Sequence, residues 1–328
     1  MSSRPKVAFY WCASCGGCEE AVVDLAEKIL DVANLVDIVF WPVAMDFKVS
    51  DVEALPDGAI TASFINGGVR LSEHEKVVKL LRQKSKLVVA YGACACWGGI
   101  PGLANIYRLE EVLERAYVTT PTTINPERVM PSQSGWVEVN GARIEVPKLL
   151  PSLRPLDEVI DVDYYVPGCP PTPEVTWNAI EALLSGKLSA KGSVIGASSR
   201  SLCDECPLNK TKPENVLIKE FKRVIDFVPK PDECLLVQGL PCLGPVTRGG
   251  CGALCINASM PCTGCFGPLD DIHDYGGKAI SFLGSILDLE DEEQIRREIS
   301  KLPDLAGLVY KYSLAKSSLK NLLRSERK

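Results

Sequence analysis

Histidine is nearly absent from this chain. Only His74 and His273 occur in 328 residues, and neither stands beside a cysteine pair. That argues against mixed Cys/His zinc sites. A basic excess is lacking too. The formal net charge is −6, so nothing points to a nucleic-acid partner, which would call for a basic face or stripe. No uncharged apolar run reaches the ~18 residues of a membrane-crossing helix. Met1 to Tyr10 hold Arg4 and Lys6 ahead of a short strand-like run, with no long apolar segment and no twin arginine. No export signal is therefore expected, and the chain is expected to stay in the cytoplasm. No G-x-G-x-x-G follows the first strand and no Walker A lysine occurs, which disfavours a dinucleotide or a nucleotide phosphate.

Against these absences stand fourteen cysteines. In a secreted chain they would read as disulfides; in a reducing compartment they read as metal ligands or redox centres. With so little histidine, all-thiolate sites are expected. The rest of the composition is that of a globular protein with room for two domains.

The first half alternates strand and helix. Lys6–Tyr10, Val36–Phe40, Ala59–Ile65, Lys86–Tyr91 and Asp161–Val166 read as five strands. Glu19–Leu30 has helical spacing, with Val22, Leu25, Ala26, Ile29 and Leu30 on one side. Ser72 and Glu75 form a capping-box pattern for a helix to about Gln83. Further helices are expected near Arg108–Arg115 and over Pro173–Leu184, the latter with its proline in the first turn. Residues 117–160 interrupt the rhythm with six prolines. There Asn140-Gly141 predicts a hairpin between Trp136–Glu138 and Arg143–Glu145. The alternation predicts an α/β fold with a doubly wound parallel sheet over residues 1–190. Residues 191–328 are expected to form a second unit. Between 190 and 270 lie eight cysteines, many Gly and Pro, and little periodicity. Such a segment can hardly fold on apolar burial alone, and bound metal would supply the missing cohesion. Leu289–Lys328 returns to helical patterning and is expected as one or two solvated amphipathic helices.

Six cysteines fall at predicted strand ends: Cys12, Cys15 and Cys18 after the first, Cys94 and Cys96 after the fourth, Cys169 after the fifth. The carboxyl ends of parallel strands share one edge, where ligands bind, so these residues are expected to meet. A cubane iron–sulfur cluster needs four converging thiolates. Gly16, Gly17, Gly98 and Gly99 let backbone approach and turn N–H groups toward sulfur. Buried structural thiols with a redox Cys-x-x-Cys are the alternative, but that leaves the other cysteines idle. Glu19 and Glu20 are expected as the acidic first turn of a helix; assistance in proton exit is the other reading.

The remaining eight are Cys203, Cys206, Cys234, Cys242, Cys251, Cys255, Cys262 and Cys265. They divide into two four-ligand sites, for which zinc or iron–sulfur clusters both serve. Pro207, Pro241, Pro261 and Pro268 lie near them, as proline follows cysteine in bacterial ferredoxins. Three cubanes need twelve thiolates; Cys12 and Cys96 are the candidates to be spare, although either could exchange with its neighbour Cys15 or Cys94.

At Cys15-Gly16-Gly17-Cys18, Gly92-Ala93-Cys94, Pro167-Gly168-Cys169-Pro170-Pro171, Cys242-Leu243-Gly244-Pro245 and Pro261-Cys262-Thr263-Gly264-Cys265, the chain resembles the small subunits of nickel–iron hydrogenases. The resemblance runs over nearly its whole length and is strongest to the cytoplasmic F420-non-reducing (methyl-viologen-reducing) and sulfhydrogenase delta types. It implies a flavodoxin-like first domain whose Cys15, Cys18, Cys94 and Cys169 hold a proximal [4Fe-4S] cluster. It implies a distal site at Cys203, Cys206, Cys234 and Cys242, and a medial site at Cys251, Cys262 and Cys265. The periplasmic branch has a distal histidine where Cys203 stands, and three medial cysteines where Cys255 adds a fourth; three [4Fe-4S] clusters are therefore expected. A large subunit would carry the nickel–iron centre. Heterodisulfide reductase, a flavoprotein or NADP(H)-linked subunits would accept the electrons. A quinone-reducing cluster subunit like that of respiratory complex I shares the proximal motif but lacks the second cysteine group. A zinc scaffold without redox activity is the third reading.

Overall fold

The computed structural model describes residues 4–302 and 304–320. The strands in chain order are β1 (Lys6–Trp11), β2 (Asp37–Phe40), β3 (Ile60–Asn66), β4 (Val69–Leu71), β5 (Ser85–Tyr91), β6 (Trp136–Val139), β7 (Ala142–Glu145), β8 (Leu149–Arg154) and β9 (Tyr164–Val166). Five of them form one sheet in the order β2-β1-β3-β5-β9, all parallel. This is the flavodoxin-like doubly wound order. The helices are α1 (Gly17–Val23), α2 (Lys28–Leu35), α3 (Val49–Glu53), α4 (Ser72–Lys84), α5 (Ala93–Trp97), α6 (Leu109–Glu114), α7 (Pro173–Ser185), α8 (Leu202–Glu205), α9 (Leu254–Asn257), α10 (Tyr275–Ile286), α11 (Glu292–Ser300) and α12 (Leu305–Val309).

Both faces of the sheet are covered, as its continuous apolar strands require. Val7, Phe9, Phe64, Val89 and Tyr91 pack with α1 and α7 through Val22, Val175, Ala179 and Ile180. The alternate residues Ala8, Ile65, Val88 and Ala90 pack the other way, onto Val77, Val78 and Leu81 of α4. A third apolar cluster, built from Leu235, Leu236, Leu240 and Leu243 with Tyr275, Leu283, Ile286 and Tyr310, surrounds the later cysteines. The cysteine-rich segment thus shares an apolar core with residues 275–314 that follow it.

Several expected elements differ. The helix expected over Glu19–Leu30 is two helices. The chain leaves the α path after Val23: Leu25 and Ala26 bond back three residues, to Val22 and Val23, and Ala26 takes a φ of 52°. Val22 and Leu25 are buried, but Ala26 and Leu30 are exposed. Ser72 does not cap α4. Its hydroxyl instead accepts the Lys148 N–H at 3.0 Å, and Glu75 pairs with Lys79 and Arg154. The 136–145 hairpin forms as expected, whereas the antiparallel β4–β8 pair was not foreseen. In the tail, α11 has no buried residue, as expected of a solvated helix. The stretch after it does not stay in solvent. Tyr310, Tyr312, Leu314 and Ala315 are buried, the Gly99 N–H donates to Tyr312 O, and Lys316 and Lys320 pair with Asp157 and Glu158. Residues 310–320 therefore form a strap laid over the first sheet's carboxyl edge. The expected helical residues 321–328 lie outside the described residues. Among the described residues no helix is long and apolar enough to cross a membrane.

Asp163 locks β9 to β5. Its buried carboxylate accepts Arg82 Nη1 at 2.6 Å, Lys191 Nζ at 2.5 Å and the Val88 N–H at 2.8 Å. Burial pushes its pKa up, but these partners outweigh it and hold the carboxyl below its ordinary range. A depressed folded-state pKa stabilises above the unfolded value of about 3.9 and loses that contribution as pH falls through the folded value. Asp163→Asn is expected to cost roughly 2–4 kcal/mol at pH 7. The gap in melting temperature from wild type should close as the pH drops below about 4; a gap independent of pH would refute the ionic account.

Candidate functional site: the cysteine groups

All fourteen cysteines are free. The sheet brings the first group together at its carboxyl edge. β1 runs into Cys12, whose N–H donates to Asn66 O at 2.8 Å, and α1 then opens just beyond Gly16, which lies in the left-handed region at φ 88°. From β5 the chain turns through Gly92 into α5. Gly92 and Ala93 donate to Val166 O and Gly168 O at 2.8 and 2.7 Å, lashing the ends of β5 and β9 together. Cys15, Cys18, Cys94 and Cys169 lie in mutual electrostatic reach, every pair of the four included. Burial, then the charges of Cys169 and Cys15, push the Cys94 thiol up to about 12. Cys15 is exposed while Cys18 and Cys94 are buried, so the group opens on one side.

The glycines fit as close-approach positions. A Cβ on Gly92 would lie 2.3 Å from Cys18 Sγ, and one on Gly99 would lie 2.4 Å from Cys94 Sγ. The Gly17 N–H donates to Cys15 Sγ at 3.5 Å. Cys96 is different: its buried thiol donates to the carbonyls of Ala90 and Val166 at 3.3 and 3.5 Å. Cys12 is buried among apolar residues of the opposite sheet face, and desolvation alone raises its pKa.

Glu19 lies in the first turn of α1 as expected, but it is buried. It is 6% exposed, and its carboxylate accepts Asn66 Nδ2 at 2.5 Å and the Trp41 indole N–H. Burial pushes its carboxyl up, opposed by those two donors. Glu20 is exposed, as a first-turn acid should be. Trp41 and Asn66 carry no motif and were not foreseen.

The second group resolves into two. Cys203, Cys206, Cys234 and Cys242 line one small cavity, again with every pair in electrostatic reach. The turn after Cys206 wraps this cavity: the Asn209 N–H donates to Cys206 O at 3.1 Å, and the Thr211 hydroxyl accepts the Cys234 N–H at 2.8 Å. Cys251, Cys255 and Cys265 are mutually in reach, and Cys262 stands between the two sets, in reach of Cys242 first and then of Cys265. Two contacts connect the three groups in series: Cys265 stands in electrostatic reach of Cys169, and Cys242 Sγ receives the Cys262 N–H at 3.3 Å. Among the described residues, no three or more His, Cys, Asp or Glu side chains are gathered so as to hold a single metal ion.

The donor chemistry fits iron–sulfur clusters. Burial first, then repulsion from neighbouring thiolates, drives Cys18, Cys94, Cys169, Cys203 and Cys265 toward the neutral form, and bound cationic iron is what would hold four thiolates in one place. Known proteins agree. Residues 15–183 match the family described as NADH ubiquinone oxidoreductase, 20 Kd subunit. Over 316 residues the chain is 45% identical to the iron-sulfur subunit of the F420-non-reducing hydrogenase of Archaeoglobus profundus, covering 94% of this chain and 96% of that one. It is 37% identical to the corresponding F420-non-reducing hydrogenase subunit of Methanothermobacter marburgensis over the full length of both. This chain belongs to the iron–sulfur subunits of the F420-non-reducing hydrogenases. It is thus an electron-transfer subunit of the hydrogenase family. The fold agrees: a chain of the [NiFeSe] hydrogenase from Desulfovibrio vulgaris Hildenborough superposes with a TM-score of 0.52 at 18% identity, covering 83% of this chain and 96% of that one. The match to the NADH-linked family stops before Cys203, whereas the F420-non-reducing hydrogenase subunits extend across the second cysteine group. This sets the complex-I reading aside for the chain as a whole.

Proposed function

We propose that this subunit relays electrons in the cytoplasm between the nickel–iron site of a hydrogenase large subunit and an acceptor protein, through three [4Fe-4S] clusters. Cys15, Cys18, Cys94 and Cys169 would hold the proximal one, within residues 1–190. Cys251, Cys255, Cys262 and Cys265 would hold the medial one and Cys203, Cys206, Cys234 and Cys242 the distal one, within residues 191–328. Cys12 and Cys96 would remain thiols. When bound, each cluster takes up and returns one electron.

The serial connection of the groups supports this reading: Cys169 lies in electrostatic reach of Cys265, and the Cys262 N–H donates to Cys242 Sγ. The chain's residues fix sulfur positions and supply N–H groups that favour the more negative, reduced state. Glycine at 92 and 99 keeps side-chain atoms out of the proximal site. The exposed side at Cys15 is where a large subunit would cover it. Heterodisulfide reductase, a flavoprotein or NADP(H)-linked subunits would accept electrons beyond Cys203 and Cys206.

The test is metal analysis of the complex purified without oxygen. About twelve irons per copy of this chain, with roughly one nickel in a larger co-purifying subunit, is the expected result. Iron without nickel would keep the relay and remove the hydrogenase partner. Zinc in place of iron would sink the redox reading.

A further inference from the structure

The cavity shared by Cys203, Cys206, Cys234 and Cys242 is otherwise lined by apolar and uncharged groups, with one exception, Lys212. Lys212 is half-buried. Among the described residues, no carboxylate stands within salt-bridge distance of it. Its backbone is held in place. Lys212 N–H donates to Asn209 O at 3.0 Å and Thr211 N–H to Leu208 O at 3.0 Å, and the Thr211 hydroxyl is fixed on Cys234. The residue therefore leaves a turn that is itself wrapped on Cys206. On its other side, Lys212 lines an open groove with Glu214, Leu217 and Phe282, and Leu236 is the other residue that borders both spaces. Lys212 thus borders both the four-cysteine cavity and the outer groove.

An unpaired cation in a low-dielectric lining acts strongly on a charge change beside it. Reduction of a four-thiolate cluster adds one negative charge, so a neighbouring ammonium favours the reduced state.

We propose that Lys212 sets the potential of the distal site, drawing the relayed electron to the four-cysteine cavity and holding it there, beside the outer groove, for transfer to the acceptor. This rests on the three-cluster reading above. Lys212 is no cluster ligand; its role is electrostatic.

The experiment is a potentiometric titration of the oxygen-free complex, followed by electron paramagnetic resonance. The distal signal is identified as the one lost in Cys203→Ser. Lys212→Gln is expected to lower the reduced-to-oxidised ratio of that signal at a fixed potential by roughly two- to tenfold. Lys212→Glu should lower it further, and Lys212→Arg should restore it, with iron content unchanged in all three. A distal signal that titrates as wild type in both the Gln and the Glu variants overturns the role of Lys212 and leaves the relay standing. A wild-type complex with about eight irons and no third signal overturns the relay reading and the role of Lys212 with it.

Discussion

Replacing Cys169 by serine is expected to reduce the iron content from about twelve to about eight per chain and to lower H2-dependent dye reduction by roughly 100-fold or more, whereas Cys96→Ser leaves both near wild type. The two thiols follow strands that are hydrogen-bonded neighbours, β9 and β5, and a sequence comparison of isolated cysteines would not separate them. Their surroundings do. Cys169 is half-exposed at the edge and in electrostatic reach of Cys15, Cys18 and Cys94. It is also in electrostatic reach of Cys265, so it stands where the first group meets the second. Cys96 is wholly buried and already serves as a donor to two backbone carbonyls. A serine hydroxyl meets the same acceptors, and the substitution should cost about 1 kcal/mol or less. Isotope exchange between H2 and water, which needs no relay, should survive in Cys169→Ser. Equal loss of iron in both variants would falsify this choice of ligands.

The sheet was legible because parallel strands buried on both faces are short continuous apolar runs, and all five stand out from the polar helices between them. What escaped depends on distant partners. α10 contains Gly276, Gly277 and Gly284, residues that weaken a helix by about 1 kcal/mol each, so its one local start signal, the Asp274 cap on the Gly277 N–H, is masked. It forms because its face packs into the second core. There Tyr310 lies so close that a Cβ on Gly276 would meet its ring at 2.2 Å. The strap at Tyr310–Lys320 reads as an ordinary basic tail, since its partners Asp157 and Glu158 are 159 and 162 residues away from Lys316 and Lys320. The candidate site follows the same division. The cysteine spacings announce the groups, because thiolates at turns after strands have few other uses in such number. Their grouping in space, the buried anchoring of Glu19 by Trp41 and Asn66, and the placement of Lys212 do not appear in any local pattern. Lys212 in particular reads as one more charge in a mixed-charge stretch.

Gly92→Ala is the substitution expected to damage the protein most for the fewest atoms added. Two independent penalties meet there. The backbone at Gly92 sits at φ 85° and ψ 159°, a region open almost only to glycine, and forcing a side chain into it costs about 1–3 kcal/mol. The added methyl would also stand 2.3 Å from Cys18 Sγ, well inside contact distance. The backbone cannot give way cheaply, because Gly92 N–H is held by Val166 O and Cys18 is carried on the first turn of α1. The sulfur must therefore move, and with it the geometry of the proximal group. The expected result is loss of about four irons and a lowered melting temperature, with the medial and distal signals retained. Gly141→Ala is the matched control. It too has a positive φ, 78°, but nothing lies within 4 Å of the added Cβ. It should show backbone strain alone, about 1 kcal/mol, and full iron. If Gly92→Ala keeps twelve irons and loses only as much stability as Gly141→Ala, then the close approach of Gly92 to Cys18 plays no part in building the proximal site.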